Sequence, residues 1–264
     1  MPFFTPGDDP GANFNELLRR VGLGAGTAAV TSSSSNNLAV PHATTCVAFR
    51  YADGVVMAGD RRATSGNWIS HRTMEKVLPA DRHSGVAIAG AAGPAMEMVK
   101  LFQLQLEHYE KVEGSALSLE GKANQLSAMV RANLPAAMQG MVVVPIFAGY
   151  DTREATGRLF AYDVTGGRYE ERDQVSTGSG SMQAATVVKV GYHDRLSRDE
   201  AIELCVKALW EAAEADSATG GPDPVRGIYP VVATITATGF ERVGDDELRE
   251  RFEAVIAAER ARQS

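Results

Sequence analysis

Two short apolar segments joined by a turn constrain the fold of this chain most strongly. Residues 45–51 and 55–60 are rich in β-favouring side chains, and the tripeptide at 52–54, Ala-Asp-Gly, is typical of a tight turn. Residues 1–43 are instead rich in Gly, Ser, Asn and Pro without sustained periodicity, which is typical of a disordered leader. The sequence therefore predicts a leader at 1–43 and a single globular domain at 44–264 that opens with a β-hairpin.

The register of this hairpin decides which side chains become neighbours. If the turn is centred near Asp53, the numbers of two directly paired residues add up to about 106. Asp60 would then face Cys46, and Thr44 would lie two residues further along on the same face. A register shifted by one residue would place Thr44 and Asp60 on opposite faces. We therefore expect Thr44 and Asp60 to be neighbours at the open end of the hairpin.

The order of the later elements favours an α+β fold. Strands are predicted near 73–78 and 85–89, helices at 94–113 and 118–138, strands at 141–150, at 158–163 and up to Thr177, helices at 182–190 and 197–215, strands at 227–233 and 234–240, and a last helix at 245–262. Hairpins outnumber β-α-β units in this order, which argues against a doubly wound parallel sheet. We therefore expect two antiparallel sheets face to face with helix pairs outside, a four-layer αββα sandwich.

Composition and charge argue against several classes of function. The chain has 264 residues, a formal net charge of -7 and no basic stripe, which disfavours nucleic acid as a partner. Its apolar runs are too short to span a membrane, and the stretch before residue 43 is too polar for a secretory signal. Two distant cysteines and five histidines without ligand spacing predict no disulfide framework and no metal. We expect a cytoplasmic protein without a cofactor.

A threonine at a chain terminus can act as nucleophile and base at once. A hydroxyl is a weak nucleophile that needs an adjacent base, and the α-amine, with a pKa of about 8, is a base that a terminal Thr44 would carry. The ammonium of Lys76 would favour the neutral amine and the alkoxide, and Asp60 would hold that ammonium in place. Gly90 is placed to offer a backbone N–H to an oxyanion. We hypothesise a precursor that becomes an enzyme when the Ala43–Thr44 bond is cut.

Each of these residues also has an ordinary structural interpretation. Thr44 alone is a strand start, Asp60 alone is a turn or salt-bridge residue, and Lys76 alone is a solvated strand residue. Only the joint pattern is specific.

Four sequence strings together resemble the proteasome β-type subunits of actinobacteria. They are Thr-Thr-Cys-Val-Ala at 44–48, Gly-Val-Val-Met-Ala-Gly-Asp-Arg-Arg-Ala-Thr at 54–64, Gly-Ser-Gly-Ser at 178–181 and Asp-Ser-Ala-Thr-Gly-Gly at 216–221. The likeness runs from Thr44 to the C-terminal helix, and the first two strings at this spacing are highly specific. The resemblance implies the fold of N-terminal-nucleophile hydrolases and a threonine endopeptidase activity.

The resemblance also implies a role for individual residues. It implies Thr44 as the nucleophile and, through its freed amine, as the base. The implied catalytic set is Thr44, Asp60, Lys76, Ser179, Asp216 and Thr219. Thr219 stands where the family more often has serine, and because the hydroxyl is retained we expect the same role. Ala43 stands where the family usually has glycine, and because alanine is also small we expect self-cleavage that is slower but intact.

A substrate site is implied as well. Ala63, Met74, Ile88 and Ala92 would line an apolar pocket, and Thr64 and Gly90 would bind the substrate backbone as an added strand. Ordinary core packing is the alternative interpretation for the four apolar side chains.

The implied partners are other proteasome subunits. The resemblance implies two heptameric β rings between two rings of α-type subunits (α7β7β7α7), an ATP-driven ring unfoldase, and protein substrates marked by a small protein tag. One alternative is a non-catalytic structural β subunit, against which the presence of Thr44, Asp60 and Lys76 argues. Another is the simpler double-ring peptidase of the same superfamily, against which the long leader and the string at 61–64 argue.

Overall fold

The computed structural model describes residues 44–263 of the chain, so the prediction of a leader at 1–43 lies outside the described residues. The strands are β1 (Thr45–Tyr51), β2 (Gly54–Gly59), β3 (Ala63–Ser65), β4 (Trp68–His71), β5 (Val77–Asp81), β6 (Ser84–Gly90), β7 (Val143–Asp151), β8 (Thr156–Tyr162), β9 (Arg168–Glu171), β10 (Gln174–Gly178), β11 (Val231–Thr236) and β12 (Gly239–Arg242). The helices are α1 (Ala92–Glu113), α2 (Leu119–Ala132), α3 (Leu134–Ala137), α4 (Ser181–Gly191), α5 (Arg198–Ala215) and α6 (Asp245–Gln263).

Two five-stranded antiparallel sheets form the centre of the fold. The first has the strand order β10-β1-β2-β11-β12 and the second the order β5-β6-β7-β8-β9, while β3 and β4 form a separate hairpin. Neighbouring strands in both sheets run antiparallel. The predicted α+β class is therefore confirmed.

Three apolar clusters separate four layers. On β1, Val47 and Phe49 belong to the cluster between the first sheet and helices α4, α5 and α6. Cys46 and Ala48 point the other way, into the cluster between the two sheets. A third cluster, with Phe147 at its centre, lies between the second sheet and helices α1 and α2. Because β1 is buried on both faces, its residues 46–49 are consecutively apolar instead of alternating with polar ones. The predicted αββα sandwich is confirmed.

The predicted register of the first hairpin is wrong by one residue. Tyr51 pairs with Gly54 and Cys46 pairs with Gly59, so Asp60 lies opposite Thr45 and not opposite Cys46. The turn contains two residues, 52 and 53, and its centre therefore lies half a residue before the predicted one. A Cβ atom on Gly54 would lie 2.1 Å from the carbonyl oxygen of Ile235 on the neighbouring strand, which explains why this turn ends in glycine.

Other differences are at element boundaries and in exposed segments. The hairpin of β3 and β4 was not predicted, because its strands are short and β4 is exposed along its whole length. The strand predicted at 73–78 begins only at Val77. The strands predicted at 227–233 and 234–240 are a single strand, β11, followed by β12. The predicted second helix ends at Ala132, three residues before Pro135, which lies in the short helix α3.

The start of α5 follows its sequence signal closely. Ser197 precedes the helix, its hydroxyl accepts a hydrogen bond from the amide of Glu200, and the Glu200 carboxylate accepts one from the Ser197 amide. Within residues 44–263, none of the helices is long and apolar enough to cross a bilayer.

Candidate active site

Asp60 and Lys76 form a buried ion pair that joins the two sheets. Asp60 directly follows β2 of the first sheet, and Lys76 directly precedes β5 of the second. The Lys76 Nζ lies 2.6 Å from Oδ1 of Asp60, and the two side chains are 1% and 0% exposed. The same Nζ donates to the carbonyl oxygen of Arg62 at 2.6 Å. The pair thus holds an ammonium group inside the protein at the open end of the first hairpin.

The carboxylate of Asp60 is fully used by hydrogen bonds. Besides Lys76, Oδ1 accepts from the amide of Thr45 at 2.8 Å. Oδ2 accepts from the amides of Arg62 at 2.9 Å and Gly220 at 2.8 Å. A buried charge is tolerated only when its pairing and hydrogen bonds offset the loss of hydration, and these four donors meet that condition.

Thr44 lies directly before β1 and is held by the end of β10. Its carbonyl oxygen accepts a hydrogen bond from the amide of Ser179 at 2.8 Å. Gly178, the preceding residue, has a φ of +100°, and a Cβ there would lie 1.8 Å from the carbonyl oxygen of Thr44. Only glycine therefore allows β10 to approach the chain at Thr44 this closely.

Three predicted residues form a hydrogen-bonded cluster beside Thr44. Oδ2 of Asp216 accepts from the hydroxyls of Ser179 at 2.5 Å and Thr219 at 2.6 Å. Burial favours the neutral acid, but these two hydrogen bonds, with a third from the Ala218 amide and the positive charge of Arg62, hold the pKa of Asp216 below its ordinary value. Asp216 is therefore ionised at neutral pH. The hydroxyl of Thr219 makes this contact although threonine replaces the family's usual serine.

The predicted substrate residues surround one cavity of about 120 Å³ next to Thr44. Its walls consist of Thr44, the six predicted binding residues and four more; the complete set is Thr44, Ala63, Thr64, Ser70, His71, Met74, Ile88, Ala89, Gly90, Ala92 and Ala95. Ile88 and Met74 also contact the cluster beneath α1 and α2, so the pocket and the core interpretations both apply to them. The Oγ1 atom of Thr64 is buried and has no hydrogen-bond partner among residues 44–263.

Gly90 occupies the position in this wall where the backbone conformation is most restrictive. Its φ is +112°, and a Cβ atom on it would lie 2.1 Å from the carbonyl oxygen of Val142. The positive φ and this close contact both exclude a side chain at residue 90, so its main chain faces the cavity without a side chain covering it.

The thiol of Cys46 is the competing nucleophile at this end of β1. Cys46 is 0% exposed, and burial raises the pKa of its thiol to about 12. It is therefore protonated at neutral pH and enclosed between the sheets, and it does not line the cavity next to Thr44.

Comparison with known proteins decides the family. The family model described as "Proteasome subunit" matches residues 40–225 of the chain. The chain belongs to the proteasome subunit family. The match covers the hairpin, the cavity and every predicted site residue, and it includes the four residues before Thr44.

Three relatives of this proteasome family member are each described as "Proteasome subunit beta". The one from Acidimicrobium ferrooxidans is 56% identical over 95% of this chain and 91% of its own length. The one from Streptomyces griseus is 57% identical over 82% and 77%, respectively. The one from Acidothermus cellulolyticus is 56% identical over 84% and 78%. The predicted resemblance to β-type proteasome subunits is confirmed.

Sequence reasoning missed several residues of this proteasome site. Thr45 was given no role in the predicted site, yet its amide and hydroxyl contact both halves of it. Gly220 and Arg62 contribute backbone amides to Asp60, which side-chain types do not reveal. The one available signal was position, since all three lie inside the four strings that carry the family resemblance.

Proposed function

We propose that this chain is a threonine-type endopeptidase, the catalytic β subunit of a barrel-shaped proteasome core. The observation that carries this proposal is the joint placement of Thr44 at a cavity wall and of the buried Lys76, whose partner Asp60 also binds the amide of Thr45, the next residue along the chain. The amide of Thr45 and the ammonium of Lys76 share the same oxygen of Asp60. The membership of the proteasome family supports the same reaction class.

The reaction requires a free amine on Thr44. That amine takes the proton of the Thr44 hydroxyl, and the oxygen attacks the carbonyl carbon of a substrate peptide bond. The resulting oxyanion faces the main chain of Gly90. Collapse expels the amine product, which takes a proton from the α-ammonium, and leaves an ester on Thr44. Water, deprotonated by the same amine, then hydrolyses the ester and frees the enzyme.

The surrounding groups favour these steps electrostatically. The buried ammonium of Lys76 stabilises the alkoxide of Thr44 and disfavours protonation of the neighbouring amine. Ser179, Asp216 and Thr219 orient the amine and the attacking water. The apolar lining at Ala63, Met74, Ile88 and Ala92 favours an apolar substrate side chain before the cleaved bond.

Residues 1–43 are proposed to be a propeptide, with residues 44–264 as the mature catalytic domain. While Ala43 and Thr44 are joined, the nitrogen of Thr44 is an amide and is not a base. The precursor is therefore inactive toward other substrates until the bond is cut, and self-cleavage at this bond is the proposed activation step. Such a delay restrains proteolysis until the particle is assembled.

The proposed partners follow from the family. The chain assembles with other proteasome subunits, in an α7β7β7α7 arrangement that receives tagged, unfolded proteins from an ATP-driven ring unfoldase in the cytoplasm. The three relatives described as "Proteasome subunit beta" support this assembly.

A peptidase assay on assembled particles tests the catalytic role. The full chain is produced together with an α-type partner, and its N-terminus is read by intact mass. An electrophile that requires both a terminal amine and a hydroxyl is then added. We expect a mature chain that starts at Thr44, labelling of that residue and hydrolysis of peptides with an apolar side chain before the cleaved bond.

The matched variants are Thr44→Ala and Thr238→Ala. Thr238 is an exposed threonine in the turn between β11 and β12, so its loss leaves activity unchanged. Thr44→Ala abolishes labelling and hydrolysis. Normal hydrolysis by an assembled Thr44→Ala particle would refute the catalytic proposal and leave the non-catalytic structural β subunit.

A further inference from the structure

We propose, on the basis of Thr44 as the nucleophile proposed above, that Thr45 is a positioning residue for the same reaction. Its hydroxyl holds the Thr219–Asp216 pair in place, and its amide holds Asp60 against Lys76. Thr45 itself does not touch the substrate.

The hydroxyl of Thr45 sits inside a directed chain of hydrogen bonds. Its Oγ1 lies 3.0 Å from the amide nitrogen of Gly180 and 2.6 Å from Oγ1 of Thr219. Thr219 in turn lies 2.6 Å from Oδ2 of Asp216. A hydroxyl has one proton and an ionised carboxylate only accepts. Thr219 therefore donates to Asp216, Thr45 donates to Thr219, and Gly180 donates to Thr45.

This chain leads back to the nucleophile. Oδ2 of Asp216 also accepts from the hydroxyl of Ser179, whose amide donates to the carbonyl oxygen of Thr44. Because Thr44 and Thr45 are adjacent in the chain, the contacts from Thr45 through Thr219, Asp216 and Ser179 to Thr44 form a closed ring. Hydrogen bonds in such a chain polarise one another. The hydrogen bond that Thr45 donates to Thr219 therefore strengthens the one that Thr219 donates to Asp216.

The backbone of Thr45 reaches the other half of the site. Its amide donates to Oδ1 of Asp60 at 2.8 Å, the atom that also binds Lys76. Its carbonyl accepts from the amide of Asp60 at 3.1 Å. Thr45 thus contacts both the Lys76–Asp60 pair and the Ser179–Asp216–Thr219 cluster, and it is covalently joined to Thr44.

Burial and position separate Thr45 from substrate binding. The residue is 0% exposed, and it does not line the cavity formed by the described residues next to Thr44. Side chains alternate along a strand, so the face of β1 that carries Thr45 is the one turned toward helices α4 and α5. Loss of its hydroxyl should therefore slow the chemical step without weakening substrate binding.

Two substitutions separate the hydroxyl from the rest of the side chain. Thr45→Val keeps the shape and removes the donor, and Thr45→Ser keeps the donor and removes a methyl group. In assembled full-length particles we expect Thr45→Val to lower kcat by roughly tenfold or more, as for one hydrogen bond in a charged network, with KM unchanged. Thr45→Ser should keep kcat within about threefold of the original. An ordinary packing role predicts the reverse ranking, because serine loses buried apolar contact.

A double substitution tests whether Thr45 acts through Thr219. If it does, adding Thr45→Val to Thr219→Val causes no further loss of kcat. Independent structural damage would instead multiply the two losses. A multiplied loss, or a change confined to KM, overturns the proposal.

The controls distinguish this inference from the proposed function. If Thr44 of the unaltered particle is not labelled by the amine-requiring electrophile, the proposed function fails. If it is labelled and Thr45→Val retains the original kcat, only the role of Thr45 fails. Should Thr45→Val not assemble, Thr45→Ala is compared with Thr45→Ser, since these two side chains differ only in the hydroxyl. Equal kcat values in Thr45→Ala and Thr45→Ser then overturn the proposal, and a loss in Thr45→Ala that Thr45→Ser does not share supports it.

Discussion

A lysine ammonium that is cut off from water depends on its partners for its charge. Lys76 has Asp60 and the Arg62 carbonyl as partners, and Asp60 has four donors of its own. The Lys76–Asp60 ion pair is buried, whereas ion pairs at the surface contribute little to stability. At residue scale, the site therefore contains a buried ion pair whose hydrogen bonds extend to Thr45, the residue after Thr44.

Replacing Lys76 by methionine tests this arrangement. The substitution leaves the Asp60 carboxylate buried without its cation, which costs about 3–5 kcal/mol of unfolding free energy. It also removes the charge that stabilises the alkoxide, so we expect peptidase activity to fall at least 100-fold, roughly the loss seen for other electrostatic groups in active sites. Thermal unfolding and kcat of assembled particles are the measurements.

Lys122 provides a matched control for Lys76. It is a second buried lysine, 7% exposed, with its Nζ 2.5 Å from Asp81, and it ties α2 to the β5–β6 hairpin away from the cavity. Lys122→Met should lower stability in the same direction but leave the kcat of surviving particles unchanged. Equal losses of kcat in both variants would show that Lys76 acts only through stability.

Asp216 should make the folding stability of the protein depend on pH. Its pKa is lowered in the folded protein, since hydrogen bonds to the carboxylate outweigh burial. A lowered pKa contributes stability that is present above the unfolded value, about 3.9, and is lost as the pH falls through the folded value. The stability difference between the original chain and Asp216→Asn should thus be constant at pH 5–7 and shrink below about pH 4. Denaturant titrations at several pH values measure it, and a difference that grows on acidification contradicts the assignment.

At the scale of elements, the end of β6 and the start of α1 shape the cavity. Gly90→Ala places a Cβ against the Val142 carbonyl in a left-handed conformation, so we expect a loss of about 1–3 kcal/mol and a displaced strand end with strongly reduced activity. Gly93→Ala is the matched control, because a Cβ there meets nothing within 4 Å and alanine suits a helix. Unfolding midpoints and kcat of the two variants give the comparison. Equal effects would mean that backbone strain at residue 90 is unimportant.

The elements differ in how much of them the sequence could predict. The strands of the first hairpin are predicted by continuous apolar character, and α5 by its capping box. The register was missed because a shift of one residue changes turn length without changing composition. The β3–β4 hairpin was missed because its exposed residues carry no burial pattern.

Only part of the candidate site could be predicted from the residues themselves. Thr44, Asp60 and Lys76 were identified by spacing and chemistry within one local stretch. Ser179, Asp216, Thr219 and the substrate residues came from the family resemblance alone. The role of Thr45 was not predictable, because its hydroxyl partner Thr219 is 174 residues away and only the packing of α5 against β1 brings them together.

At the scale of the whole molecule, the proposed activation depends on a residue that the proposed mature protein no longer carries. Ala43→Gly removes a side chain at the bond to be cut and restores the residue most usual in the family, so we expect faster release of residues 1–43. The kcat of the mature product should not change, since residue 43 is absent from it. Intact mass over time after assembly, followed by a peptidase assay, measures both. Ala39→Gly serves as the control, and equal acceleration by both variants would contradict a role for position 43.

The Lys76–Asp60 pair bridges two separate sheets, one partner beside an edge strand and the other in the first hairpin. A chain whose halves have not docked in the right alignment has a lysine and an aspartate but no working pair. In the proposed peptidase, activity is consequently withheld from half-folded forms by the architecture itself. On that proposal, a newly made subunit can cleave other proteins only after its own tertiary structure is complete.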